Sequence, residues 1–265
     1  MDRTKKAWIN AILLAITLVI NTFGALGLIN GLSQKQISDM YLTLITPSSS
    51  TFSIWSVIYL SLIISIIAMI IKQKDPYYQK AVDEISVLFW VSCVLNIGWI
   101  VTFSYLLIEL SVLFIVGFVI TLTLIAMKLL KIAEGKRWLL PLSFGLYSGW
   151  LMIATVVNIS AALVKSGWNR FGIADQAWAT IILIIATLLV IGVLMKNRNA
   201  AFPLPIAWAY LGIFQFLRSP VGFNGEYGVL QVVSIVGMVI LVGAAALQFY
   251  RNRYSLLPSS SIERQ

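Results

Sequence analysis

The chain has no histidine at all and a single cysteine, Cys93, among 265 residues. Without histidine it lacks the commonest metal ligand and general base, and every triad that uses one. One cysteine cannot form an intrachain disulfide. Inside an apolar run it reads as a small apolar side chain. Acidic residues number only 10 and are scattered, with no paired-carboxylate or metal-spaced set. No glycine-rich phosphate loop is present, which argues against an ATP-driven motor within the chain. Charge is scarce too, at 11% of residues. Too little remains to cover the surface of a soluble domain.

What the chain has is apolar length. It is 60% hydrophobic, with a mean hydropathy of +0.92. Nothing alternates for long enough to suggest a membrane β-barrel. The expected fold is an all-α polytopic membrane protein. Crossing a bilayer takes about 20 apolar residues, and eight candidate spans follow: Trp8–Asn30, Thr51–Ile71, Ile85–Leu107, Leu110–Leu130, Leu139–Val164, Ala177–Met195, Phe202–Leu217 and Val229–Tyr250. The seventh is short and starts with Pro203 and Pro205, a place where proline is tolerated. The first has a basic start, but its apolar run is too long for a signal peptide and no A-x-A site follows, so it reads as a retained helix.

Lys and Arg outnumber acids, 19 to 10, yet they sit at the ends of apolar runs rather than in a patch. No nucleic-acid partner is expected, and the excess reads as an orientation signal. With the N-terminus inside, the inner segments hold 15 Lys and Arg, while the outer loops hold 4 (Lys35, Lys165, Arg170 and Arg218). This predicts both termini on the cytoplasmic side. Two small-residue pairs, Gly27/Gly31 and Gly145/Gly149, suggest close helix contacts. The tail 251–265 reads as polar, mobile and cytoplasmic.

Three spans carry polar and aromatic residues at helical spacing: Phe52, Trp55 and Tyr59 on the second; Asn96, Trp99 and Phe103 on the third; Tyr147, Trp150, Ala154 and Asn158 on the fifth. Each set lines one helix face. A rise of about 1.5 Å per residue puts Trp55 and Tyr59 roughly 6–12 Å below the outer surface. Asn96 and Trp150 fall near the middle, and Trp99, Phe103 and Asn158 in the outer half. Amides in a lipid-facing position are costly unless paired or lining a cavity. Spacing alone leaves two readings open: a ligand pocket between helices, or asparagines bonding across a packed interface with aromatic rings filling space. The loop 31–50 leads into the same level and is placed to act as a lid.

In chain order these residues, with Pro47, Leu95 and Thr155, resemble the TspO/MBR family of tryptophan-rich sensory or translocator proteins. Its members carry F-x-x-V-W-x-x-L-Y after a proline on the second helix, L-N-x-x-W-x-x-x-F on the third and P-Y-x-x-W-x-x-x-A-T-x-x-N on the fifth. The likeness covers about the first 165 residues. It implies a five-helix bundle, 1–165, with about three further helices, 166–250, like the extension of longer bacterial members, and then the tail. It also implies a membrane binding or sensory protein with an outer-leaflet pocket between helices 1, 2, 3 and 5, for a porphyrin-, sterol- or lipid-like ligand. Carried over, Trp55, Tyr59, Asn96, Trp99, Trp150, Ala154 and Asn158 line it. No cofactor is required, though a tetrapyrrole suits such a site, since aromatic rings stack and amides orient polar edges. The partners implied are a hydrophobic small molecule or lipid and the membrane, and a homodimer stays open.

Three departures stand out. The family often has a loop tryptophan six residues before Trp55, where this chain has Ser49. The light-dependent porphyrin breakdown of some members leans on that tryptophan. The proline before Tyr147 is Leu146, and SAALVKSGW lacks the tyrosine of the family's sterol motif. A transporter or permease component for a hydrophobic molecule is the alternative, but the ionisable residues and broken helices such a protein would favour are not evident. An enzyme is not expected. The late helices also lack the buried lysine a retinal protein would need.

Overall fold

In the computed structural model, which describes residues 1–259, the described residues form nine α-helices. They are α1 (Arg3–Ala25), α2 (Gln34–Met40), α3 (Ile54–Ile71, entered through a 3-10 turn Ser49–Ser53), α4 (Pro76–Ser104), α5 (Ile108–Lys131), α6 (Leu139–Lys165), α7 (Asp175–Asn197), α8 (Leu204–Arg218) and α9 (Gly228–Arg251). Seven are long and apolar enough to cross a membrane. The chain is thus an all-helical polytopic membrane protein.

Local signals set the helix ends. Pro76 opens α4, and the Asp75 side chain accepts from the Tyr77 N–H at 3.0 Å, a cap that satisfies one of the orphan donors of the first turn. Ser33 and Gln36 form a reciprocal capping box on α2, a helix inside the first loop that hydropathy alone does not reveal. Gly27, at φ +74°, ends the turn after α1. The expected Gly27/Gly31 contact is therefore corrected: both glycines have positive φ and lie beyond the helix. Gly145 and Gly149 do meet a neighbour. A Cβ on Gly145 would lie 2.8 Å from the Asn199 amide, and one on Gly149 would overlap the Phe202 carbonyl oxygen.

Five helices close a ring, with α1 against α3 and α4, α4 against α5, α5 against α6, and α6 against α3. Then α8 docks on α6, α9 on α8 and α7 on α9. One apolar core runs from Ala7 on α1 through the ring to Leu241 on α9. Buried amides pin α1 to α4, as where Asn10 donates to the Ser86 hydroxyl at 3.0 Å.

The expected seventh span is present as α8, but the helix alone is too short to cross, and the segment 198–203 makes up the rest of the return from α7 to α9. α8 has 15 residues, about 22 Å of helix at 1.5 Å per residue, short of a bilayer core of about 30 Å. The non-helical segment 198–203, buried from Asn199 to Pro203, precedes it. Buried irregular backbone has to be satisfied by protein, and asparagines do this here. Asn199 donates to the Pro141 carbonyl at 2.8 Å and accepts from the Ala201 N–H at 2.9 Å, and Asn252 donates to the Arg198 carbonyl at 2.8 Å. The expected mobile tail is corrected over 251–259 as well. Leu257 is buried, and the Leu256 carbonyl accepts from the Ala200 N–H at 2.9 Å. Residues 260–265 lie outside the described part.

Candidate functional site

The three sequence-predicted faces converge, carried by α3 (with the turn before it), α4 and α6. Trp55 is the hub. It stacks on Tyr59 with ring centroids 5.1 Å apart, and it meets Trp99 at 6.2 Å, Tyr147 at 6.2 Å and Trp150 at 6.0 Å. Phe52 packs edge-on to Trp150 at 6.2 Å, and Phe103 lies beside Trp99 at 6.3 Å. Such offset and edge-to-face pairs suit the quadrupoles of the rings.

Two hydrogen-bond chains hold the cluster. In the first, Tyr59 donates to Asn21 at 2.7 Å, Asn21 donates to Asn96 at 2.6 Å, and Asn96 donates to Tyr147 at 2.9 Å. This ties α3 to α1, α4 and α6. In the second, Trp99 donates to Asn158 at 3.0 Å, and Asn158 donates to the Ser111 hydroxyl on α5 at 3.0 Å. The packed-interface reading therefore describes Asn96 and Asn158 well, because both amides are spent inside the bundle.

A cavity of about 60 Å³ nonetheless lies above these chains, toward the first loop. Phe52, Trp55, Trp99, Phe103, Trp150, Ala154 and Asn158 line it; Tyr59, Asn96 and Tyr147 do not. Those three sit below it in the hydrogen-bond chain. The expected wall from helix 1 is replaced by α8, which supplies Ala209 and Ile213. Helix 1 instead borders a neighbouring cavity of about 360 Å³, through Leu18, Asn21, Thr22 and Ala25, with Tyr59 opposite. Gln34, Phe52 and Trp55 line both cavities and so divide them.

The first loop covers the site. Gln34 and Ser38 of α2 and Pro47 face the smaller cavity. α8 holds the loop down: the Ser48 N–H donates to the Gly212 carbonyl at 3.0 Å, and Trp208 donates to the Thr51 carbonyl at 2.9 Å. Ser49 is exposed and lines neither cavity.

Two residues of the lining carry unspent donors. Trp150 Nε1 and Gln34 Nε2 are buried without a hydrogen-bond partner among the described residues. A buried unpaired donor costs about 1–3 kcal/mol, so each is a place where an acceptor oxygen gains. No group of three metal-ligating side chains gathers among the described residues.

Asn21 had a sequence signal that the three-face reading passed over, since Asn10, Thr17 and Asn21 share the buried face of α1. Ala209 and Ile213 had none, being apolar residues in an apolar helix.

Comparison with known proteins found no curated protein and no solved structure that matches. The model of one family, described as TSPO-like protein, matches residues 7–247. That match runs past the first 165 residues, on which the resemblance rests, and through the later helices. Given the closed five-helix ring and its aromatic site, the chain belongs to the family of TSPO-like proteins.

Proposed function

We propose that the protein binds a hydrophobic ligand carrying a hydrogen-bond acceptor between α3, α4, α6 and α8, beneath α2. The observation that carries this is the pair of buried, unpartnered donors, Trp150 Nε1 and Gln34 Nε2, on two residues that line one aromatic-walled cavity. An acceptor oxygen satisfies them, and the apolar walls take the rest of the ligand. The 15-to-4 distribution of Lys and Arg supports an outer-leaflet position for this end of the bundle and cytoplasmic termini.

Size bears on the ligand. At about 60 Å³ the cavity is far below the roughly 300–1,000 Å³ of ordinary ligand pockets. A tetrapyrrole or a sterol fits only after Gln34, Phe52 and Trp55 move, joining this space to the neighbouring cavity of about 360 Å³. Binding then follows a shift to an opened state, and sensing is the coupling of that shift to the first loop.

The test is tryptophan-fluorescence quenching of purified protein by protoporphyrin IX, in wild type and in Ala154→Leu, which fills the cavity. Saturable quenching that the substitution abolishes supports the reading. Equal quenching in both removes the site from this cavity.

A further inference from the structure

A cavity of about 310 Å³ opens at the first-loop end, outside the five-helix ring. It lies between the end of α6 and the start of α7, and the first loop and the α8–α9 connection close it. The space exists because α7 takes α9 rather than α6 as its main packing partner. Leu163 and Ile182 are among its apolar lining residues. Trp168, Trp178 and Tyr227 line it as well, with the two tryptophans edge-to-face at 5.0 Å.

Arg170 and Asp175 are the charged residues of the lining, with Arg170 Nε 2.7 Å from Asp175 Oδ1. The approach is off the N–H axis: Nε is buried and makes no hydrogen bond among the described residues. The backbone at this point is strained. Arg170 and Phe171 both have left-handed φ, +56° and +55°, which non-glycine residues adopt at a cost. Asn169 braces the turn by accepting from the Phe171 N–H at 3.1 Å. A strained loop thus presents a guanidinium whose Nε–H is unspent, ion-paired with a carboxylate, at the level where aromatic residues mark a membrane interface.

We infer that this cavity holds the headgroup of a zwitterionic phospholipid. The phosphate takes the Arg170 donors, since guanidinium matches phosphate oxygens with paired N–H groups. The ammonium lies near Asp175 and the aromatic faces, which attract cations. The first methylenes rest on Leu163 and Ile182. A purely anionic head meets repulsion from Asp175, and a purely cationic one meets repulsion from Arg170, so the pair of opposite charges selects a head with both. This inference is independent of the central cavity.

The test is native mass spectrometry of the full chain released from detergent with equal amounts of phosphatidylethanolamine and phosphatidylglycerol of matched chains. The expected result is retention of the ethanolamine lipid over the glycerol lipid by about fivefold, a fivefold loss of it in Arg170→Gln, and a shift toward the glycerol lipid in Asp175→Asn, on the scale of a charge-assisted contact. Because Arg170 lies in a surface turn, Arg170→Lys checks folding and restores part of the retention. Equal retention of the two lipids by wild type, or unchanged retention in Arg170→Gln, overturns the proposal. Displacement of the lipid by an equal concentration of free phosphoethanolamine overturns the lipid as occupant.

Discussion

Asn21 on α1 donates its amide N–H to the Asn96 carbonyl on α4 at 2.6 Å, and both residues are buried. This contact links helices that hydropathy treats as independent spans. It also explains why Asn96 is tolerated in an apolar run: its oxygen takes Asn21 and its nitrogen reaches Tyr147.

Asn96→Leu should lower thermal stability in detergent, because it leaves Asn21 and the Tyr147 hydroxyl short of a partner, at about 1 kcal/mol for each bond lost. A double-mutant cycle with Asn21→Ala and Asn96→Ala should give a coupling of about 0.5–1 kcal/mol. Strictly additive losses would mean that the two amides do not depend on each other.

Trp150→Phe should behave oppositely. No internal hydrogen bond is lost, since Trp150 Nε1 has no partner among the described residues. The melting temperature should change little, while affinity for an acceptor-bearing ligand falls about 2–10-fold, the net worth of one hydrogen bond. Isothermal titration alongside thermal melts separates the two. A large drop in stability with unchanged affinity would contradict the assignment of that donor to a ligand.

Gly149→Ala should destabilise by about 1–3 kcal/mol, because the added methyl has nowhere to go against the Phe202 carbonyl. It should also weaken ligand binding without touching the cavity, since displacing the segment before α8 shifts Ala209 and Ile213, which line it. Gly243→Ala, with nothing within 4 Å of its Cβ, is the matched control and should be close to neutral. Equal melting curves for the two variants would refute the argument.

Gly212→Val should loosen the lid. A side chain there collides with Thr51, and the Gly212 carbonyl accepts from the Ser48 N–H. Limited trypsin digestion should then cut faster at Lys35 on α2. An unchanged cleavage rate would show that α8 does not restrain the first loop.

Several parts of the site were legible in sequence. Trp55, Trp99 and Trp150 were readable because period 3.6 places them with their neighbours on single helix faces, and the bilayer level aligns those faces. Asn21 was readable in principle from the same period on α1. Ala209 and Ile213 were not, since an alanine and an isoleucine in an apolar helix look the same whether they line a cavity or face lipid. The distinction between Gly27/Gly31 and Gly145/Gly149 was also hidden. Identical spacing ends a helix in one case and admits the segment before α8 in the other.

Sequence by itself determined where the seven long helices lie, though α4 begins nine residues before the expected Ile85 and α8 is shorter than a span. A helix in lipid satisfies its own backbone, so span length and hydropathy follow locally from the bilayer thickness. It also determined which residues share a helix face. Tertiary structure alone decided which faces meet, that α8 rather than α1 completes the smaller cavity, and that residues 251–259 pack back onto the segment before α8. The physical reason is the solvent. Leu183 is buried and Leu188 is exposed on the same helix, although the residue type is identical. Lipid tails are as apolar as a protein core, so hydrophobicity does not distinguish inside from outside, and small residues and a few amides set the helix pairing.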